Sequence, residues 1–313
     1  MEDYPRNQIE FERRFAAEQA CRDYLVTVRW PDGFICPRCR SVCYGKTRRN
    51  LMVCRQCHYQ ASVTAGTIFQ DSRKPLSLWF RAMWAVTSTK AGASALAIQR
   101  TLGLGSYVTA WTWLQKLRRA MVSPGRERLN GEVEVDETFI GAPEQGRHGR
   151  RMIKKTMVVV AAEKDGRGIG RIRMRRVPDG SARSLHPFVM DSIEPGSMLL
   201  TDDWQGYAGL KDYRREVQQI AHSGKKASEL MPRVHRVISL LKRWLMGTHQ
   251  GAVSPQHLDY YLDEFTFRFN RRTSASRGKL FYRLMQNAVQ VPPTPYRSMI
   301  KSVRGRKRHN HNP

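Results

Sequence analysis

Acid is what this sequence has least of. Its 313 residues carry 27 Asp and Glu against 54 Lys and Arg, a formal net charge of +27. That surplus repels itself and attracts polyanions. Lys and Arg release condensed counterions when they meet phosphates, so the expected partner is nucleic acid. Long apolar runs are also missing. None approaches the roughly 20 residues of a spanning helix, and the best stretch, "LWFRAMWAV", is interrupted by Arg81. The opening "MEDYPRNQIEFERRF" has no apolar signal core. The expected location is therefore the cytoplasm. A reducing compartment excludes disulfides, so the six cysteines need another use.

Four of them stand as "CPRC" (Cys36, Cys39) and "CRQC" (Cys54, Cys57). Two such knuckles across a short loop supply four thiolates at tetrahedral reach, the ligand set of structural zinc. A redox pair explains one knuckle and not two. Cys21 reads as a buried small residue, Cys43 as a loop residue and His58 as a bystander beside Cys57.

The 41% hydrophobic content is enough for packed cores, and the length suggests about two domains. The predicted class is α+β and multidomain. Residues 1–72 hold an N-terminal helix, read from Tyr4 to Tyr24, and the zinc ribbon. Residues 73–126 form a helical unit in which "SALAIQRTLG" is followed by a glycine turn and a second helix with Trp111, Trp113 and Leu117, the spacing of a helix-turn-helix. Residues 127–290 change texture. "EVEVDETFIGA" and "GIGRIRMRRV" alternate at period two, and "MVVVAAEKDG" and "SMLLTDDW" read as buried strands. "REVQQIAH" reads as a fifth strand, "SARSLHPFVMDSI" as a helix capped by Ser181, and "RVISLLKRWLMG" as a helix stopped by Gly247. Three sequential strands and then a crossover imply a mixed sheet covered by helices, the order of a ribonuclease H-like fold. Residues 291–313 read as a basic, disordered tail.

In so basic a chain, two acids stand out. Asp136 lies within the first strand of that sheet and Asp202 ends the fourth, and these strands are predicted neighbours. Facing carboxylates can hold divalent ions beside a phosphodiester, and Mg²⁺ takes few carboxylates plus water and phosphate. Taken singly, Asp136 also reads as a surface residue and Asp202 as a turn opener. Asp203 is assigned to solvent or to capping the turn. Glu134 shares the face of Asp136, and Glu137 takes the other.

The blocks "VEVDETFIG", "LLTDDWQGY" and "HRVISLLKRWLMGTHQG … YYLDEFTFRFNRR" resemble the insertion-sequence transposases with an N-terminal zinc ribbon, the IS1595 group. The resemblance implies a catalytic domain of the Asp–Asp–Glu type, Mg²⁺- or Mn²⁺-dependent DNA cleavage and strand transfer, and a homo-oligomer on the element ends and target DNA. It also implies a Lys seven residues after the third catalytic position, which here falls on His235 and Lys242. The third position is thus His where the family most often has Glu. His235 reads either as a metal ligand or as a residue orienting water or phosphate, with Glu229 as a fallback acid. Lys242 reads as a phosphate holder or as an ordinary solvated lysine. The competing function is a non-catalytic DNA-binding regulator built from the same parts.

Overall fold

The computed structural model describes residues 2–123, 125–141, 155–220, 222–251 and 253–301. The chain divides into two compact units, Met1–Ser123 with Ser274–Lys301, and Pro124–Thr273.

Along the chain, α1 (Gln8–Arg14) and α2 (Glu18–Arg29) precede a small antiparallel sheet of β1 (Tyr44–Lys46), β2 (Met52–Cys54) and β3 (Gln60–Ala61). Three helices follow: α3 (Leu76–Ser88), α4 (Ala95–Thr101) and α5 (Tyr107–Ala120). The second unit holds β4 (Glu132–Ile140), β5 (Thr156–Asp165), β6 (Gly168–Val177), α6 (Ala182–Ser192), β7 (Met198–Asp202), β8 (Arg214–Gln218), α7 (Ala227–Leu230), α8 (Pro232–His249) and α9 (Leu258–Phe269). The chain then returns to the first unit as α10 (Arg277–Ala288) and α11 (Tyr296–Lys301).

The single N-terminal helix of the sequence reading is two. In one straight helix, Phe15 and Tyr24, nine residues apart, fall on opposite faces at 3.6 residues per turn. The break at Phe15 lets both enter one core, with ring centroids 5.0 Å apart. Phe11, Phe80, Trp84 and Phe281 complete this aromatic cluster. The return of α10 to it depends on Gly278, where a Cβ would lie 1.6 Å from the Pro5 carbonyl oxygen. The first unit therefore takes residues that the sequence reading gave to the catalytic domain and the tail, because Phe281, Leu284 and Met285 are buried in it. Within it α4 and α5 are joined through Gly103 at φ 62°. Trp113 stacks on Trp79 with centroids 4.0 Å apart, so it is core, while Tyr107 and Val108 at the start of α5 are exposed.

In the second unit the sheet order is β6-β5-β4-β7-β8. β4, β5 and β6 pair antiparallel as a meander, and β7 and β8 add in parallel after the α6 crossover. This mixed, two-faced sheet is consistent with the expected ribonuclease H-like fold. On one face Val133, Val135, Val159 and Leu199 pack with α6. On the other, Val158, Val160 and Ile172 pack with α8 and α9. Ser181 occupies the N-cap position of α6, but its side chain makes no capping bond. Asp179 instead accepts from the Ser181 and Ser184 hydroxyls. α8 runs through Gly247 to His249, because one glycine costs a helix only about 1 kcal/mol. It ends where Gln250 turns left-handed at φ 50° and Gly251 follows at φ 69°. Among the described residues no helix is long and apolar enough to cross a membrane.

Candidate active site and cysteine cluster

The two knuckles fold alike. In each, the first cysteine's carbonyl accepts from the residue after the second cysteine, Arg40 N–H to Cys36 at 2.9 Å and His58 N–H to Cys54 at 3.1 Å. Arg40 and His58 are both left-handed, at φ 64° and 57°. Each turn thereby presents its two sulfurs to the same point. The four Sγ atoms lie within 4.8 Å of one another, with 3.5 Å between Cys36 and Cys57 and between Cys39 and Cys54. Sulfurs at the Zn–S distance of about 2.3 Å from a tetrahedral centre sit at close to this spacing. The backbone N–H of Cys57 leads in pulling the Cys54 thiol down to about 6. The Ser41 N–H favours the Cys39 thiolate, yet burial and the neighbouring sulfurs push that thiol up to about 12. Four thiolates so close need a cation among them, and a soft ligand set of this geometry fits zinc. Cys21 is buried and Cys43 exposed, outside the cluster.

In the sheet, β4 and β7 pair in parallel with Glu134 opposite Leu200. The pairing ends there; Asp136 and Asp202 lie two residues further along their strands, each with the parity of Glu134 and Leu200, which puts both on the face covered by α8. Asp136 Oδ1 accepts from the Glu137 N–H at 2.8 Å. Its Oδ2 lies 3.6 Å from His235 Nε2, beyond hydrogen-bond reach. That Nε2 is buried and has no hydrogen-bond partner. Burial leads in pushing the His235 imidazole below its ordinary 6.5; Glu134 opposes the shift and Lys242 adds to it. The ring is therefore neutral near pH 7, with a lone pair to offer. An orphaned nitrogen aimed at a carboxylate, with a second carboxylate on the same face, fits a divalent ion. Among the described residues, only the four cysteines bring three or more such ligand atoms within 4.8 Å of one another, so this second site is more open than the first.

Glu134, unremarkable in the sequence beyond its parity, fixes the position of His235. Its buried carboxylate accepts from Arg233 Nη1 at 2.8 Å and from the Val234 N–H, also at 2.8 Å. Val234 belongs to the first turn of α8, whose N–H groups have no partner inside the helix. Glu134 thus ties that helix end to β4 and satisfies the positive end of its dipole.

The stretch after Asp202 is equally constrained. Asp202 Oδ1 accepts from the Trp204 N–H at 3.1 Å. Arg215 on β8 donates to Thr201 Oγ1 at 2.9 Å and to the Asp202 carbonyl at 3.1 Å. The Trp204 indole donates to the Gly180 carbonyl, and a Cβ on Gly206 would come within 2.2 Å of that same oxygen. The buried Tyr207 hydroxyl sits near Glu137, and burial, then Glu137 and Asp136, holds it protonated well above 10.0. The paired acids of "LTDD" therefore divide as expected, Asp202 half-buried and Asp203 exposed.

Lys242, two turns after His235, feels the charges of Lys155 and Asp136. Glu229 is exposed on α7. Residues 302–313 of the expected basic tail lie outside the described residues. Sequence reasoning missed Glu134 as the anchor of α8, Arg215 as a brace of the Asp202 strand end, and Lys155. The only signal for Glu134 was its shared parity with Asp136; Arg215 and Lys155 gave none, since both sit among many other cations.

Residues 128–270 match the ISXO2-like transposase domain, and residues 16–60 match the transposase zinc-ribbon domain. A protein of Halobacterium salinarum described as an uncharacterised protein in transposable element ISH50 is 26% identical over 281 residues, which span 82% of this chain and 92% of that protein.

Proposed function

The chain belongs to the zinc-ribbon transposases of the IS1595 group, and on that premise we propose that it binds the ends of its own insertion sequence and catalyses DNA strand cleavage and strand transfer with Asp136, Asp202, His235 and Lys242. The observation that carries this reading is the buried, partnerless Nε2 of His235, 3.6 Å from Asp136 Oδ2. A buried nitrogen without a partner is costly in a structure that has no use for it.

A divalent ion, Mg²⁺ or Mn²⁺, held by Asp136, Asp202 and His235 would supply Lewis-acid stabilisation of the attacking and leaving oxygens. The wider spacing of these ligands suits a site completed by a DNA phosphate. Glu134 holds His235 at its height by anchoring α8. Arg215 and Trp204 fix the strand end that carries Asp202. Lys242 brings a point charge to a non-bridging phosphate oxygen. End recognition is assigned to the first unit, with the zinc ribbon and the exposed start of α5 at Tyr107 and Val108 meeting base edges in the manner of a helix-turn-helix. A homo-oligomer assembled on the two ends would make both cuts.

The test is to incubate the full chain with the DNA flanking its own gene in Mg²⁺ or Mn²⁺. Nicks confined to the element ends support the reading. End binding with no cleavage in either metal would instead identify a regulator.

A further inference from the structure

At the open end of β4, beyond the carboxylates, the second unit contains a cleft of about 510 Å³. Phe139 and Ile140 line it from β4, and Leu245 and Met246 from α8. Met246 is 65% exposed, an apolar side chain left to water. Two cations, Lys155 and Lys242, line the same cleft. The stem of Lys155 packs across Gly141, where a Cβ would meet its Cγ at 3.3 Å. After burial, the Lys155 charge is the strongest influence pulling Lys242 below its ordinary 10.5, with Asp136 opposing. Two like charges beside one apolar cavity attract an anion that can approach both.

The occupant must therefore offer a flat or apolar body and an anionic group together, and must reach Asp136. An acidic peptide offers the charge but brings no phosphodiester to the carboxylates. A nucleotide offers both. The volume falls within the roughly 300–1,000 Å³ of small-ligand sites. The polarisable Met246 thioether beside Ile140 and Leu245 suits the face of a base. Enzymes that act on a base take it out of the stack, and for a base unstacked beside a cut phosphate the same stacking on apolar side chains would offset the lost pairing.

We propose that this cleft receives an unstacked base of the substrate DNA next to the cleaved phosphodiester, with Lys155 and Lys242 together holding that nucleotide's phosphate. The proposal rests on the transposase reading above. Lys155 thereby becomes a substrate-positioning residue, and the cleft decides which nucleotide lies at the cut.

The test uses the full chain and duplex DNA from the element end, with 2-aminopurine placed in turn at each position flanking the cleaved phosphate. Binding should raise its fluorescence at one position and not at the others. An abasic site at that position should weaken binding by about tenfold in the parent, and by less in Met246→Ala. Lys155→Ala should lower both the fluorescence rise and the cleavage rate by about tenfold, with Lys155→Arg restoring much of each. Cleavage at the ends without a fluorescence rise at any position would overturn the proposal and leave the transposase reading intact. The same holds if Lys155→Ala matches the parent in both measurements. Should Lys155→Ala fail to fold, the fluorescence scan and the abasic series in the parent decide alone. A chain that neither binds nor cuts the element ends would overturn the transposase reading, and this proposal with it.

Discussion

At the scale of single residues, the site divides acids that look alike in the sequence. Asp136 and Asp202 share a face of the sheet by strand parity, whereas Asp203 is exposed. Asp136→Asn and Asp202→Asn should each lower end cleavage at least about a hundredfold while retaining end binding, because on the proposed mechanism each removes a negative charge that would hold the catalytic cation. Asp203→Asn should cleave at close to the parental rate. Gel-shift and nicking assays on the same DNA separate the two effects; an essential Asp203 would reverse the assignment. On the proposed reading His235 offers the metal a nitrogen, and imidazole favours transition ions over Mg²⁺. His235→Glu should therefore stay active and move the preference from Mn²⁺ toward Mg²⁺, while His235→Ala should bind ends and not cut them. Equal Mg²⁺-dependent cleavage by His235→Ala and the parent would remove His235 from the site. The pair of aspartates was legible because acids are scarce and both fall at strand positions. The anchor at Glu134 was not, since its partners Arg233 and Val234 lie about a hundred residues away and nothing local couples them.

At the scale of elements, period and punctuation predicted the five strands and the two knuckles, because alternation and Cys spacing are local. Helix ends were less legible. Gly247 looked like a stop, but the backbone turns at Gln250, and only its φ shows this. The start of α6 has a measurable signature of its own. The Ser181 hydroxyl, then that of Ser184, holds the Asp179 carboxyl down at about 2, against an ordinary 3.8. A carboxylate lowered on folding stabilises the native state fully above its unfolded pKa and loses that contribution as pH falls through its folded value. Urea midpoints of the parent should therefore decline more steeply than those of Asp179→Ala between about pH 4 and 2. Parallel curves would remove Asp179 from the cap. For the ribbon, metal binding supplies folding energy in so small a sheet. Chelation, or Cys36→Ser or Cys54→Ser, should release one zinc per chain and abolish end binding, leaving the far-ultraviolet signal of the second unit in place. Full end binding by zinc-free protein would contradict that.

At the scale of the whole molecule, the chain falls into two compact units, and nothing local in the sequence marks the boundary near Ser274. An amphipathic helix such as α10 shows which face it will bury and not against what, so nothing in the sequence sends it back to α1 and α3. Phe281 has no exposed surface, and Phe281→Ala should cost the first unit about 3–5 kcal/mol. Calorimetry should then show one transition moved down and the transition of the second unit unchanged. A shift of both together would mean that the units unfold as one.

The return of α10 also sets an order of events during synthesis. The ribosome must finish the whole second unit before Phe281 emerges to close the aromatic cluster begun by Phe11 and Phe15. A nascent chain cannot complete its first unit early, and a prematurely terminated one never does. A product of the same gene truncated before Phe281 would thus lack a finished first unit, and on the proposed division of labour it should compete for element ends less well than the full chain.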